Sequence, residues 1–128
     1  MTINNPDVYF DGIWDWACLD GCFKETKIKP TDIDGFVERN GRFLVLETKH
    51  PGARIPYGQE ITFTRMVETG LFTVIVIWGE KNAPEEIELR TSKTTRHYDD
   101  VDNEKLRQIV TAWFEWAENQ TPTPRFTE

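Results

Sequence analysis

The chain has 128 residues, 38% of them hydrophobic, with five Trp, eight Phe and a net charge of −7. That length suits one folded domain, and that composition excludes an intrinsically disordered chain. The acidic balance excludes a protein that coats nucleic acid through a basic surface, because such binders draw on counterion release. A nucleic-acid partner would need a local basic patch, bound cations or a second protein to hold it.

No apolar run approaches the ~20 residues that cross a bilayer. The opening MTINNPDVYFDG has no basic stretch leading into an apolar one, so no leader is read there. Two cysteines suit free thiols in a reducing compartment, and a cytoplasmic setting is expected.

Phe10, Ile13, Trp14, Ala17 and Gly21 recur at helical spacing and predict a first helix over Val8–Phe23. Cys18 and Cys22 fall i, i+4 on it; with no second Cys or His pair they read as buried small hydrophobes. A basic connector, KETKIKPT, follows. Ile33–Glu38 and Arg42–His50 read as strands joined at Asn40-Gly41, the pair that a two-residue type I′ turn favours because it needs φ > 0 twice.

Pro51-Gly52 stops the second strand, Pro56 opens a helix to about Glu68, and Gly70 caps it. Leu71–Trp78 is almost continuously apolar, as in a strand buried on both faces. Glu86–Arg90 reads as a short edge strand and RTSKTTRHY as a polar, basic loop. The last helix is predicted over Asn103–Glu118, with Leu106, Ile109, Val110, Trp113, Phe114 and Ala117 on one stripe, before a loose tail, NQTPTPRFTE. The order α-β-β-α-β-(β)-α predicts an α/β fold, a single-domain mixed sheet flanked by helices.

The Asn40-Gly41 turn fixes a register. Arg39 faces Arg42; Glu38 then faces Phe43, Phe36 faces Val45, Asp34 faces Glu47 and Asp32 faces Lys49, and these last four pairs share one sheet face. Facing carboxylates repel, and a divalent cation removes that penalty because hard ions favour carboxylate oxygens. Such an ion polarises a phosphoryl oxygen and acidifies a bound water, while a nearby lysine orients the water or neutralises developing charge. The alternative is a solvated hairpin end with Asp32–Lys49 as a weak surface pair. Leu44, Val45 and Leu46 argue against it, being too apolar for a free ribbon.

The stretch TDIDGFVERNGRFLVLETK resembles the PD-(D/E)XK, or restriction-endonuclease-like, nuclease superfamily: an Asp opens one strand and Glu-x-Lys closes the next. HPGARIPYGQEITFTRMVETGLFTVIVIWG is similar to its virus-type replication-repair branch and related phage proteins, where a Gln-bearing helix and an apolar strand follow. The resemblance implies a restriction-endonuclease-like fold and metal-dependent hydrolysis of phosphodiester bonds, with DNA the expected substrate. It also implies a bacterial or phage-infected cell as setting, and a homodimer or a replication, repair or packaging assembly. Carried over residue by residue, it implies that Asp34 and Glu47 hold Mg²⁺ or Mn²⁺ with the carbonyl of Thr48 as third ligand. Lys49 would act on the attacking water and Gln59 would sit beside the site. The family often adds an acid on its first helix, and Asp11, Asp15, Asp20 and Glu25 stay open for that place.

Arg90, Lys93, Arg96 and His97 form one phosphate-contact patch; Lys24, Lys27 and Lys29 form a second, and Arg54 is a further contact. Each patch is as readily a solvated loop. His50 reads as a loop or packing residue, Trp113 as core, and Trp116 as an exposed residue marking a self-association face. No G-x-S-x-G elbow or Gly-rich phosphate loop is present. Two rivals to a nuclease remain: a catalytically silent nucleic-acid- or protein-binding module, and an acidic inhibitor or scaffold.

Overall fold

A computed structural model describes residues 12–122. The chain divides into two compact units, Met1–Asp32 and Ile33–Glu128. In the first, the described residues hold one turn of 3-10 helix, Ala17–Leu19, set among turns. The helix predicted over Val8–Phe23 is therefore not formed where it is described; its start, residues 8–11, lies outside the described residues. Trp16, Gly21 and Lys24 all take positive φ, and the Asp15 carboxylate accepts from the Ala17 N–H at 2.9 Å, a local bond that competes with helix. Asp15, Asp20 and Glu25 accordingly stand on no α-helix, and Asp11 is outside the described residues. Cys18 and Cys22 are free thiols, but exposed rather than buried.

The second unit is a five-stranded mixed sheet with two helices, an α/β arrangement as predicted. Its elements are β1 (Gly35–Arg39), β2 (Arg42–Lys49), α1 (Tyr57–Glu68), β3 (Phe72–Glu80), β4 (Ala83–Arg90), β5 (Thr95–Tyr98) and α2 (Asn103–Glu118). The strands lie in chain order; β2 and β3 are parallel and every other pair is antiparallel. The β1–β2 ladder runs from Arg39↔Arg42 to Gly35↔Leu46 in the predicted register, with Asn40 and Gly41 both at positive φ. Asn40 also donates its side-chain amide to the Ala117 carbonyl at 3.1 Å, tying the turn to α2.

Two segments differ from expectation. β4 starts earlier than Glu86 and is interior, because the stretch read as a basic loop contributes β5 as the edge strand. A register shift at Trp78/Gly79 lets β4 begin through Pro84. A Cβ on Gly79 would come within 2.3 Å of the Ala83 carbonyl oxygen, so only glycine fits that approach.

Alternation along the strands splits the core into two layers. On one face Leu44, Ile75 and Ile87 pack under Ile109, Trp113 and Ala117 of α2. On the other, Val45, Val74, Val76 and Trp78 pack under Phe63 and Val67 of α1. Both faces of β3 are thus covered, as its apolar run predicts. Trp116 and Phe114 remain exposed on α2. The α2 N-terminus is capped by Asp102, which accepts from the Lys105 N–H at 2.9 Å.

Arg90 corrects the basic-patch reading. It is only 7% exposed, on the α1 side of the sheet. Its two terminal nitrogens donate to Glu60 of α1 at 2.7 and 2.9 Å, and its Nε donates to Glu88 at 2.9 Å. The guanidinium staples α1 to β4 and is not offered to a phosphate. Its hydrogen bonds hold the Glu60 carboxyl below the ordinary 4.5, and Glu60 in turn raises Arg90. A carboxyl lowered by folding contributes stability that is complete above its ordinary value and is lost as pH falls through the lowered one. Urea denaturation at stepped pH should therefore show a smaller acid loss below pH 4.5 in Glu60→Gln than in the parent.

Candidate functional site

Strand parity decides what stands at the end of β2. Val45, Glu47 and Lys49 project to the α1 side; Leu44, Leu46 and Thr48 project to the other. Glu47 is buried, at 7% exposure, beside Val76 of the apolar layer. The loop after β2 turns at Gly52, where φ is +77, and is pinned when the Trp78 indole N–H donates to the Ala53 carbonyl at 2.7 Å. That anchor brings the first turn of α1 over Glu47.

Gln59 then donates its amide to Glu47 Oε1 at 3.0 Å, and Lys49 Nζ lies 3.2 Å from the same oxygen. Three of the residues singled out by sequence, Glu47, Lys49 and Gln59, are together. Both donors use Oε1, which leaves Oε2 as the oxygen to face a ligand. The Gln59 amide must present nitrogen to the carboxylate, so its Oε1 is oriented away, buried and without a hydrogen-bond partner. An orphaned acceptor beside a buried carboxylate fits a water or a hydrated cation.

Asp34 is placed differently from the register's expectation. The ladder ends at Gly35, and Asp34 turns its Oδ2 to the Thr48 N–H at 2.9 Å and the Thr48 hydroxyl at 3.0 Å. It engages the strand beside Glu47 rather than Glu47 itself. Within a strand, a residue's N–H and C=O point to the same neighbour. The Thr48 carbonyl therefore opens toward Asp34, past the last ladder pair. Lys49 pairs with Glu47, its own neighbour two residues back, not with Asp32, which precedes the ladder.

A cleft of about 770 Å³ opens at the carboxyl ends of the parallel strands β2 and β3, lined by Thr48, Lys49, His50, Arg54, Gly79 and Lys81 among others. Such strand ends are where open α/β sheets place ligands. In a chain of net charge −7, three cations, an imidazole and one carboxylate, that of Glu80, line this cleft. Sequence reasoning found Lys49 and Arg54 and missed His50 and Lys81. The signal was present: both directly follow or closely follow a strand of the parallel pair. Lys93 and Arg96 are exposed at β5 and the turn before it, and Lys29 is exposed in the first unit; none lines the cleft.

The donor set at the site is all oxygen: Glu47 Oε2, the Asp34 carboxylate and the Thr48 carbonyl. Those are the atoms Mg²⁺ or Mn²⁺ takes, with waters completing the shell. The residues present fit such an ion.

Glu47→Ala would leave the Lys49 ammonium and the Gln59 amide without their shared acceptor. It should lower stability by about 1–3 kcal/mol, the range for stranded buried polar groups, read as a fall in the urea midpoint at constant slope.

No protein-family model, curated protein or solved structure matches the chain.

Proposed function

We propose that the protein is a metal-dependent nuclease of the restriction-endonuclease-like kind, hydrolysing phosphodiester bonds in DNA. One observation carries the reading: a buried Glu47 accepts from Lys49 and Gln59, and Lys49 also lines a cleft whose charged lining is mainly basic on an acidic protein. When bound, Mg²⁺ or Mn²⁺ supplies a polarised phosphoryl oxygen and an acidified water. Glu47, Asp34 and the Thr48 carbonyl would hold it. Lys49, fixed by its ion pair, neutralises charge developing on the phosphate. Gln59 Oε1 accepts a hydrogen from the attacking water and orients it. Arg54, Lys81 and His50 hold flanking phosphates, and the acidic surface elsewhere confines the nucleic acid to the cleft.

A second reading, a silent nuclease-like binding module, is favoured by the same ion pair: Lys49 already compensates Glu47 without a metal.

Cleavage assays with Mg²⁺ and with Mn²⁺, over duplex, single-stranded and branched DNA and over RNA, separate the two. The parent should cut at least one DNA form. Lys49→Met, which keeps the apolar stem, should cut about 10²–10³-fold more slowly, the scale for losing one preorganised charge. Mg²⁺ at a hundredfold excess over its Kd should stabilise the parent and Lys49→Met by about 2.7 kcal/mol and leave Glu47→Ala unmoved. A parent that cuts nothing with either metal makes the silent module the answer, and undiminished cutting by Lys49→Met removes its assigned role.

A further inference from the structure

Another cluster on the same sheet face is not used by that mechanism. Along β4 and β5 the facing pairs are Glu88↔His97 and Ile87↔Tyr98. One step further the same register sets Glu86 opposite Asp99. Glu86, Glu88 and His97 share the α1 side of the sheet with Trp78, because side chains alternate and Trp78 faces Glu86.

His97 Nε2 lies 2.7 Å from Glu86 Oε2 and 3.3 Å from Asp99 Oδ1. Its Nδ1 lies 4.0 Å from Glu88 Oε2. Among the described residues, this is the one group of three His, Cys, Asp or Glu whose ligand atoms all fall within 4.8 Å of one another. It corrects the expectation that His97 contacts phosphate: acids face it, not a basic loop.

One imidazole nitrogen carries one proton at most, yet two carboxylates converge on Nε2. Around a cation with bonds of about 2.0–2.2 Å, neighbouring ligand atoms stand roughly 3.0–3.5 Å apart. The 2.7 and 3.3 Å separations need an opening of only a few tenths of an ångström to admit one. His97 and Asp99 are 42% and 78% exposed, so an ion enters without unfolding the strands and keeps positions for water. The Trp78 ring, with its centroid 6.0 Å from the imidazole, limits how far His97 can swing.

We infer that Glu86, His97 and Asp99 form a binding site for a divalent transition-metal ion, of which Zn²⁺ is the natural probe. One imidazole and two carboxylates select Zn²⁺, Mn²⁺, Fe²⁺ or Ni²⁺ over the all-oxygen ions Mg²⁺ and Ca²⁺. The site is separate from the one at Glu47. Two strand spacings, about 10 Å, divide β2 from β4, with β3 between, whereas paired catalytic metals sit about 3.5–4 Å apart.

The test is Zn²⁺ titrated calorimetrically into the full chain carrying Cys18→Ser and Cys22→Ser, so that exposed thiols do not compete, with excess Mg²⁺ to fill all-oxygen sites. The expected result is one Zn²⁺ per chain with a ¹⁵N shift at His97 Nε2. His50 and His97 are the only histidines, which makes the assignment direct. His97→Gln and Asp99→Asn should each weaken binding, His97→Gln by more than about 100-fold, beyond the range for losing an outer-shell partner. Glu47→Ala should bind as the parent does. Asp99→Asn alters an exposed side chain and keeps the fold, so it stands if His97→Gln does not. No saturable binding at millimolar Zn²⁺, a shift at His50 instead, or loss of binding in Glu47→Ala with retention in His97→Gln overturns the site.

Discussion

Strands β2 and β3 run side by side in the same direction, from Phe43↔Phe72 to Lys49↔Trp78. Parallel neighbours cannot be closed by a tight turn, so the chain has to leave the end of β2, cross one face of the sheet and return at its other end. The crossing segment contains α1, and the rest of the candidate site follows from that constraint. α1 begins where β2 ends, so its first turn carries Gln59 over Glu47. The two carboxyl strand ends lie together, so the loops leaving them, with His50, Arg54 and Lys81, wall one cleft.

The same crossing makes the two sheet faces unequal. α2 lies over a face that is apolar at β2, β3 and β4 alike: Leu44, Ile75, Ile87. α1 is shorter and covers Val45, Val74, Val76 and Trp78, while the same face of β4 carries Glu86, Glu88 and Arg90. Arg90 reaches back to Glu60 and lies 5.8 Å over the Phe63 ring, which seals the open edge of α1. Burying one charge there is tolerable because three carboxylate oxygens meet it with directed hydrogen bonds.

Local chemistry was legible in the sequence where it acts alone. Asn40-Gly41 set the hairpin register through Gly35 because a two-residue turn leaves no slack, and the stripe of α2 marked its core face. Glu47 and Lys49 were placed on one face because strand parity is a local property, whereas Gln59 was named from the family resemblance. What escaped depended on distant partners. RTSKTTRHY is polar because β5 is an edge strand that meets water, and nothing in it announces that β4 needs a neighbour. Arg90 looked like a free cation because Glu60 lies thirty residues back. The first helix failed for the opposite reason. Its apolar spacing was real, but Trp16, Gly21 and Lys24 adopt left-handed backbone that no helix accepts. Asp34 was expected to face Glu47, yet it lies one step past the ladder and its side chain accepts from the Thr48 N–H.

The pairing of β2 with β3 also orders assembly in time. β1–β2 is a two-residue hairpin and β3–β4–β5 a meander, each closed by contacts near in sequence, whereas joining them requires the long loop that contains α1 to close first. Distant pairing of that kind is the slow event in a small α/β chain. A chain with that pairing unmade would leave Glu47 and Lys49 in open water, without Gln59 held over them. The cleft has no second wall, and the carboxylate has no dry neighbour to strengthen its contacts. A nascent or partly unfolded chain thus holds every residue of the site in working chemical form and none of its geometry.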